Sequence, residues 1–148
     1  MRRKKIYLSS IFIFCLFIVD RFFKHLALQN PDKVFFSNPW FSWQLWLNDK
    51  FFFGILPTKF WWLIFVFIGW LTLFLFGYYW WQKKRFNFIF WLALIIIGGY
   101  SNLFDRIFYQ GVVDYLSIWY WPVFNLADIY IVVGVMTLMY LNYKKDYN

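Results

Sequence analysis

Four long apolar runs constrain this chain more than any other feature. They extend from about Ile6 to His25, Phe60 to Trp81, Phe86 to Phe104 and Val123 to Leu141. Each holds roughly 19–22 residues, and at about 1.5 Å rise per residue a helix of that length matches a hydrocarbon core of about 30 Å. Trp61 and Trp62 open the second run and Trp80 and Trp81 close it, as interfacial aromatic residues do. The hydrophobic fraction is 63%, against roughly 45–50% in soluble globular proteins. The expected fold class is therefore an all-α membrane protein, four transmembrane helices in one domain over residues 1–148.

Charge orients these helices. Arg2, Arg3, Lys4 and Lys5 precede the first, Lys83, Lys84 and Arg85 lie between the second and third, and Lys144 and Lys145 follow the fourth. With four spans, these three places share one side, which the positive-inside rule makes cytoplasmic. That side has nine basic residues against Asp146, and the other has six basic residues against six aspartates. The net charge of +8 is thus accounted for by topology, and no nucleic-acid partner is called for. Both termini are expected in the cytoplasm.

The N-terminus has the basic start and apolar stretch of a signal peptide. It lacks a small-x-small cleavage site, and Asp20, Arg21 and Lys24 follow directly, so the first run reads as a retained helix. The single Cys15 excludes an internal disulfide framework. His25 has neither a second His nor a thiolate nearby, which argues against a zinc or iron site.

Residues 29–59 contain Pro31, Pro39 and Pro57 and a dense aromatic stretch. Part of it alternates, Trp43, Leu45 and Leu47 against Ser42, Gln44 and Asn48, which predicts short strands in a small external β-rich element lying on the membrane surface. Residues 105–122 connect the third and fourth helices.

The acidic inventory is short: Asp20, Asp32, Asp49, Asp105, Asp114, Asp128 and Asp146, with no Glu. Asp128 falls several residues inside the fourth apolar run. A carboxylate in hydrocarbon costs a few kcal/mol, so it usually has a task there. Asn102 and Arg106 share a face of the third helix, with Gly98 one turn earlier, and Gly98–Gly99 admits a neighbouring backbone. Asn125 and Asp128 share a face of the fourth helix. Asp20 and Lys24 form an i,i+4 ion pair at the end of the first. Polar groups thus meet at one membrane boundary, with Asp114 arriving from the connection. Two carboxylates held a few Å apart share a proton, and together can activate a water and protonate a leaving amine. That is aspartic-protease chemistry, and it needs no metal or cofactor.

At these residues the chain resembles a family. The runs IGGYSNLFDRIFYQGVVDYL and PVFNLADIYIVVG resemble the two C-terminal signatures of lipoprotein signal peptidase (signal peptidase II, peptidase A8-like). DRFFK from Asp20 and NDKFFFGI from Asn48 resemble its two earlier motifs. The resemblance implies an intramembrane aspartic endopeptidase with Asp114 and Asp128 as the catalytic dyad. It also implies that Asn48, Asn102, Arg106 and Asn125 support substrate or dyad, with Gly98, Asp20 and Lys24 as structural or substrate-side partners. The implied substrates are prolipoproteins carrying a diacylglyceryl group on a Cys, cut just before that Cys by a monomer among the lipids of the bacterial cytoplasmic membrane, its active site near the outer face. The chain departs from the family's small residues at Ile97, Tyr100, Ser101, Lys50, Phe51 and Phe52, which bear on the substrate groove.

Each residue also has a plainer reading. Asp114 could cap a turn, Asp128 could pair with Arg106, Asp105 reads as a structural partner, and Asp32 and Asp49 as solvated loop charges. The alternative function is a small transporter or proton-conducting protein, which would want its acids deeper and on more helices.

Overall fold

The computed structural model describes residues 2–49 and 61–146. The departures at Lys50, Phe51 and Phe52, with Pro57 and Lys59, lie outside the described residues. The chain is mostly helical: α1 (Arg2–Leu28), α2 (Trp61–Gln82), α3 (Phe86–Tyr109) and α4 (Leu126–Asp146). A three-stranded antiparallel sheet, β1 (Phe36–Ser37), β2 (Phe41–Asn48) and β3 (Val112–Ile118), runs in the order β1-β2-β3.

Helix α3 packs against α1, α2 and α4. Its inward face reads Ile95, Gly98, Asn102 and Asp105, a three-to-four-residue spacing that puts one stripe toward its neighbours. At Gly98 a Cβ would come within 2.5 Å of the Ala127 carbonyl oxygen, so only glycine lets α3 meet the start of α4 this closely. Gly99 faces open space and has no such part, contrary to the expectation for the pair. Away from α3, the helices turn outward a band of large apolar side chains, among them Phe12, Phe14, Phe67, Phe74, Met136 and Met139. A surface of that kind calls for an apolar surrounding. By length and composition, Phe88–Tyr109 and Leu126–Lys144 could each cross a membrane.

Three boundaries differ from the sequence reading, and each matters to the site. The third helix runs on to Tyr109, closed by Gln110 in the left-handed region at φ 60°, so Asn102 and Arg106 lie on regular helix. The connection after it is not a plain loop: residues 112–118 form β3 and join the sheet predicted for residues 29–59 alone. The fourth helix begins at Leu126 rather than Val123, which puts Asp128 in its first turn instead of several residues inside.

The alternation read in β2 is also interrupted. Trp43 pairs with Leu116 and Trp46 with Asp114, so β2 carries an extra residue between them. This β-bulge shifts the facing side chains by one and leaves Asn48 opposite Val112, two residues from Asp114 on the same face.

Candidate active site

Asp114 and Asp128 come from different elements and are joined by asparagines. Strand β3 brings Asp114 in as a nearly fully buried side chain, 2% exposed, because its neighbours Val112, Val113 and Tyr115 pack into the core. Asn48, diagonally across the β2–β3 ladder, donates from Nδ2 to Asp114 Oδ2 at 3.0 Å. Asn125 donates from Nδ2 to Asp114 Oδ1 at 2.7 Å.

Asn125 also starts α4. Its Oδ1 accepts from the Asp128 N–H at 3.0 Å, and its own N–H donates to Asp128 Oδ2 at 3.0 Å. This reciprocal arrangement is a capping box built from Asn and Asp. Asn102 of α3 donates to Asp128 Oδ1 at 2.7 Å. All four carboxylate oxygens of the two aspartates therefore have a donor. The helix N-terminus adds a favourable partial charge at Asp128.

Behind this pair lies a buried ionic cluster. Lys24 reaches Asp105 at 2.6 Å and Asp20 at 3.4 Å, and donates to Asn102 Oδ1 at 2.8 Å. Its side chain, like that of Asp105, is fully buried, a placement that is tolerable only when the charges are paired. Arg21 ion-pairs with Asp105 at 2.5 Å and lies over the Phe104 ring. The Val113 N–H donates to Asp105 Oδ2 at 3.2 Å, tying β3 to α3. Ser101 donates to Asp20 and accepts from Lys24 at 3.3 Å. Arg106 lies within electrostatic reach of Asp128, Asp114 and Asp105, and donates to the Asn102 carbonyl at 3.4 Å.

Asp20, Lys24, Asn48, Asn102, Arg106, Asn125, Asp114 and Asp128 thus converge at one level, and Gly98 sets the helix contact below them. Asp20 and Lys24 do form the expected pair, though the shorter Lys24 partner is Asp105. Asp32 and Asp49 are exposed and stand apart. Sequence reading missed Arg21 and Tyr115 as site neighbours and took Ser101 for a groove residue. The Asp20–Arg21–Lys24 cluster itself was a signal: three charges on two adjoining faces of an apolar helix need buried counter-charges.

Burial, chiefly, pushes the Asp114 carboxyl up to about 6; the bond from Asn48 opposes this, and the nearby Asp128 charge adds to it. Burial and then the Asp20 charge push the Tyr115 phenol upward, so it keeps its proton. Beside Asp128 opens a cavity of about 520 Å³. It is walled by Ile118 at the end of β3, by Trp119, Trp121 and Phe124 of the β3–α4 connection and by Ile129 and Val132 of α4, with Asp128 its one carboxylate. An apolar ligand with one polar group presented to Asp128 suits this shape.

The family model described as Signal peptidase (SPase) II matches residues 12–144. The lipoprotein signal peptidase of Thermodesulfovibrio yellowstonii is 32% identical over 150 residues, covering 95% of this chain and 98% of that protein. That of Clostridium acetobutylicum is 48% identical over 61 residues, covering 37% of this chain and 40% of that one. Two solved structures described as a bacterial membrane enzyme share the fold. Their TM-scores are 0.77 and 0.74 at 23% identity, over 97% and 95% of this chain and 91% and 95% of theirs. Nothing in these likenesses supports a transporter or proton-conducting protein. With the match running through nearly the whole chain, and through both aspartate motifs, the chain belongs to the signal peptidase II family.

Proposed function

We propose that this chain is an aspartic endopeptidase of the bacterial cytoplasmic membrane that removes the signal peptide from prolipoproteins. In this reading Asp114 and Asp128 are the catalytic dyad, and the cut falls just before a Cys that carries a diacylglyceryl group. The observation that carries the assignment is the convergence of donors. Asn48, Asn102 and Asn125 hold all four oxygens of two aspartates drawn from a strand and a helix start.

The chemistry follows from a shared proton. Close carboxylates cannot both ionise easily, and the upward displacement of Asp114 is in the direction that sharing requires. The ionised member takes a proton from water as its oxygen adds to the scissile carbonyl carbon. The protonated member gives its proton to the carbonyl oxygen. As the tetrahedral diol collapses and the C–N bond breaks, the leaving amine takes the proton that came from water and a diol hydroxyl returns its proton to the other carboxyl, so both carboxyls return to their starting state. Two carboxylates and one water balance the reaction.

The wider reading has one domain over residues 1–148, four transmembrane helices, both termini cytoplasmic and the dyad near the outer face. The chain acts as a monomer among membrane lipids. It is supported by the basic clusters at three places on one side and by the outward apolar band on the helices. The apolar cavity beside Asp128 supports lateral entry of a lipid-modified helical segment from the bilayer. Incubating the purified protein with lipidated and unlipidated precursor, followed by mass spectrometry of the products, tests the function. Cleavage before the lipidated Cys alone is expected; cleavage indifferent to lipidation, or dependent on added metal, overturns it.

A further inference from the structure

The first three N–H groups of α4 find acceptors from three separate places. Leu126 N–H donates to the Tyr115 hydroxyl at 3.2 Å, Ala127 N–H to Asp20 Oδ1 at 3.1 Å, and Asp128 N–H to Asn125 Oδ1 at 3.0 Å. A helix start is ordinarily satisfied by its own cap residue and by water. Here β3 supplies the first partner and α1 the second. The Tyr115 hydroxyl also donates to Asp20 Oδ1 at 3.4 Å, so the two partners are linked. Tyr115 is buried and follows Asp114 directly, and its ring stacks on Phe23 of α1 at 5.9 Å. One backbone step separates this hydroxyl's residue from one carboxylate; two steps separate its partner Leu126 from the other.

We propose that Tyr115, anchored on Asp20, is a positioning residue that sets the first turn of α4, and with it Asp128, against Asp114. The inference rests on the assignment of Asp114 and Asp128 as the working pair. Backbone bonds between Leu116 and Phe124, both 2.9 Å, fix the approach to α4 but end two residues short of Leu126. The rotation of the first turn about that link is left to side chains: Asn125, just before the helix, bonds Asp114 and the Val113 carbonyl, and Tyr115 is the residue of that strand that holds an N–H of the turn itself. The charged groups facing the pair are Lys24 and Asp20 of α1 and Arg106 and Asp105 of α3; changing Tyr115 replaces none of them and removes only its 3.4 Å bond to Asp20.

Tyr115→Phe removes the hydroxyl and keeps the ring on Phe23. Its kcat, KM and pH profile on lipidated precursor are compared with those of the unaltered chain and of Asp114→Asn. Coupled carboxylates titrate at two separated values, and the separation shrinks as they move apart. Tyr115→Phe should lower kcat roughly tenfold with KM within about twofold, since misplacement at a reacting centre is costly. The two limbs of its pH profile should draw together by roughly half a unit. An unchanged kcat, or a lower kcat with both limbs in place, overturns the proposal, because a smaller folded fraction only scales the rate. Should Tyr115→Phe fail to accumulate, Leu126→Pro removes the donor of the same bond at the first helical position, where proline is tolerated, and is held to the same outcome. Activity retained in Asp114→Asn would instead overturn the dyad itself.

Discussion

Asn125 and Asp128 cap each other at the start of α4, the N–H of each held by the side chain of the other at 3.0 Å. The same Asn125 amide donates to Asp114 at 2.7 Å, so the bonds that begin the helix also tie the two carboxylates together. Replacing Asn125 with Ala should lower stability by about 1–2 kcal/mol through loss of the cap, measured by thermal unfolding in detergent. Activity should fall roughly a hundredfold as the dyad loses its bridge. Asn125→Asp keeps the capping oxygen, so its stability should suffer less. It places a third carboxylate against Asp114 in exchange for a donor, and its activity should be lost as fully.

Asp114→Asn and Asp128→Asn each keep the shape of the side chain and remove the shared proton. Cleavage should fall by roughly three orders of magnitude or more in either variant, with membrane insertion intact. The double variant should be hardly slower than the singles, because the pair acts as a unit. Multiplying losses in the double variant would show two independent residues.

The raised Asp114 carboxyl makes a prediction for pH. The kcat/KM of the free enzyme should bend downward as pH rises through about 6, where the shared proton is lost. Asn48 holds that carboxyl down by bonding its ionised form. Asn48→Ala should therefore move the basic limb to higher pH, and a shift to lower pH would contradict the role given to this bond.

The same displacement bears on stability. Burial favours the neutral carboxyl in the fold, so this contribution is fully present below the ordinary value of 3.8 and is lost as pH rises through about 6. A rise of about two units corresponds to about 3 kcal/mol of destabilisation at neutral pH. Asp114→Asn, inactive, should unfold at a higher temperature than the unaltered chain above pH 6, and the difference should close toward pH 4.

Lys24 is the buried cation between Asp20 and Asp105. Lys24→Met leaves two carboxylates buried with fewer counter-charges and should destabilise by about 3–5 kcal/mol. Unfolding monitored in detergent checks this; a loss under about 1 kcal/mol would mean that Arg21 alone balances Asp105.

Orientation is tested by cysteines introduced at Ser37 and Tyr147, the latter beyond the described residues. An impermeant reagent should reach Ser37→Cys from outside the cell and Tyr147→Cys only from within. Labelling of both from one face would overturn this topology.

The sequence by itself determined the long apolar helices, the order of the polar motifs and the two carboxylates. These are legible because hydrocarbon length, charge and helical spacing act locally: Asn102 and Arg106 must share a face wherever the helix lies, whereas Asn125, expected on a face of the fourth helix, precedes it and meets Asp128 as its cap. Only tertiary structure decided which partners those groups meet. Nothing local marks residues 112–118 as a strand, since β3 exists by pairing with β2 across some seventy residues of chain. The bulge between Trp43 and Trp46, which brings Asn48 to Asp114's face, is invisible to a period-two reading for the same reason. Arg21, Ser101 and Tyr115 acquired their places because buried donors and acceptors must all be paired, and that pairing is settled by the packing of α1, α3, β3 and α4 together. Position along the chain decides what each residue can offer. Only the closed fold decides what it is offered to.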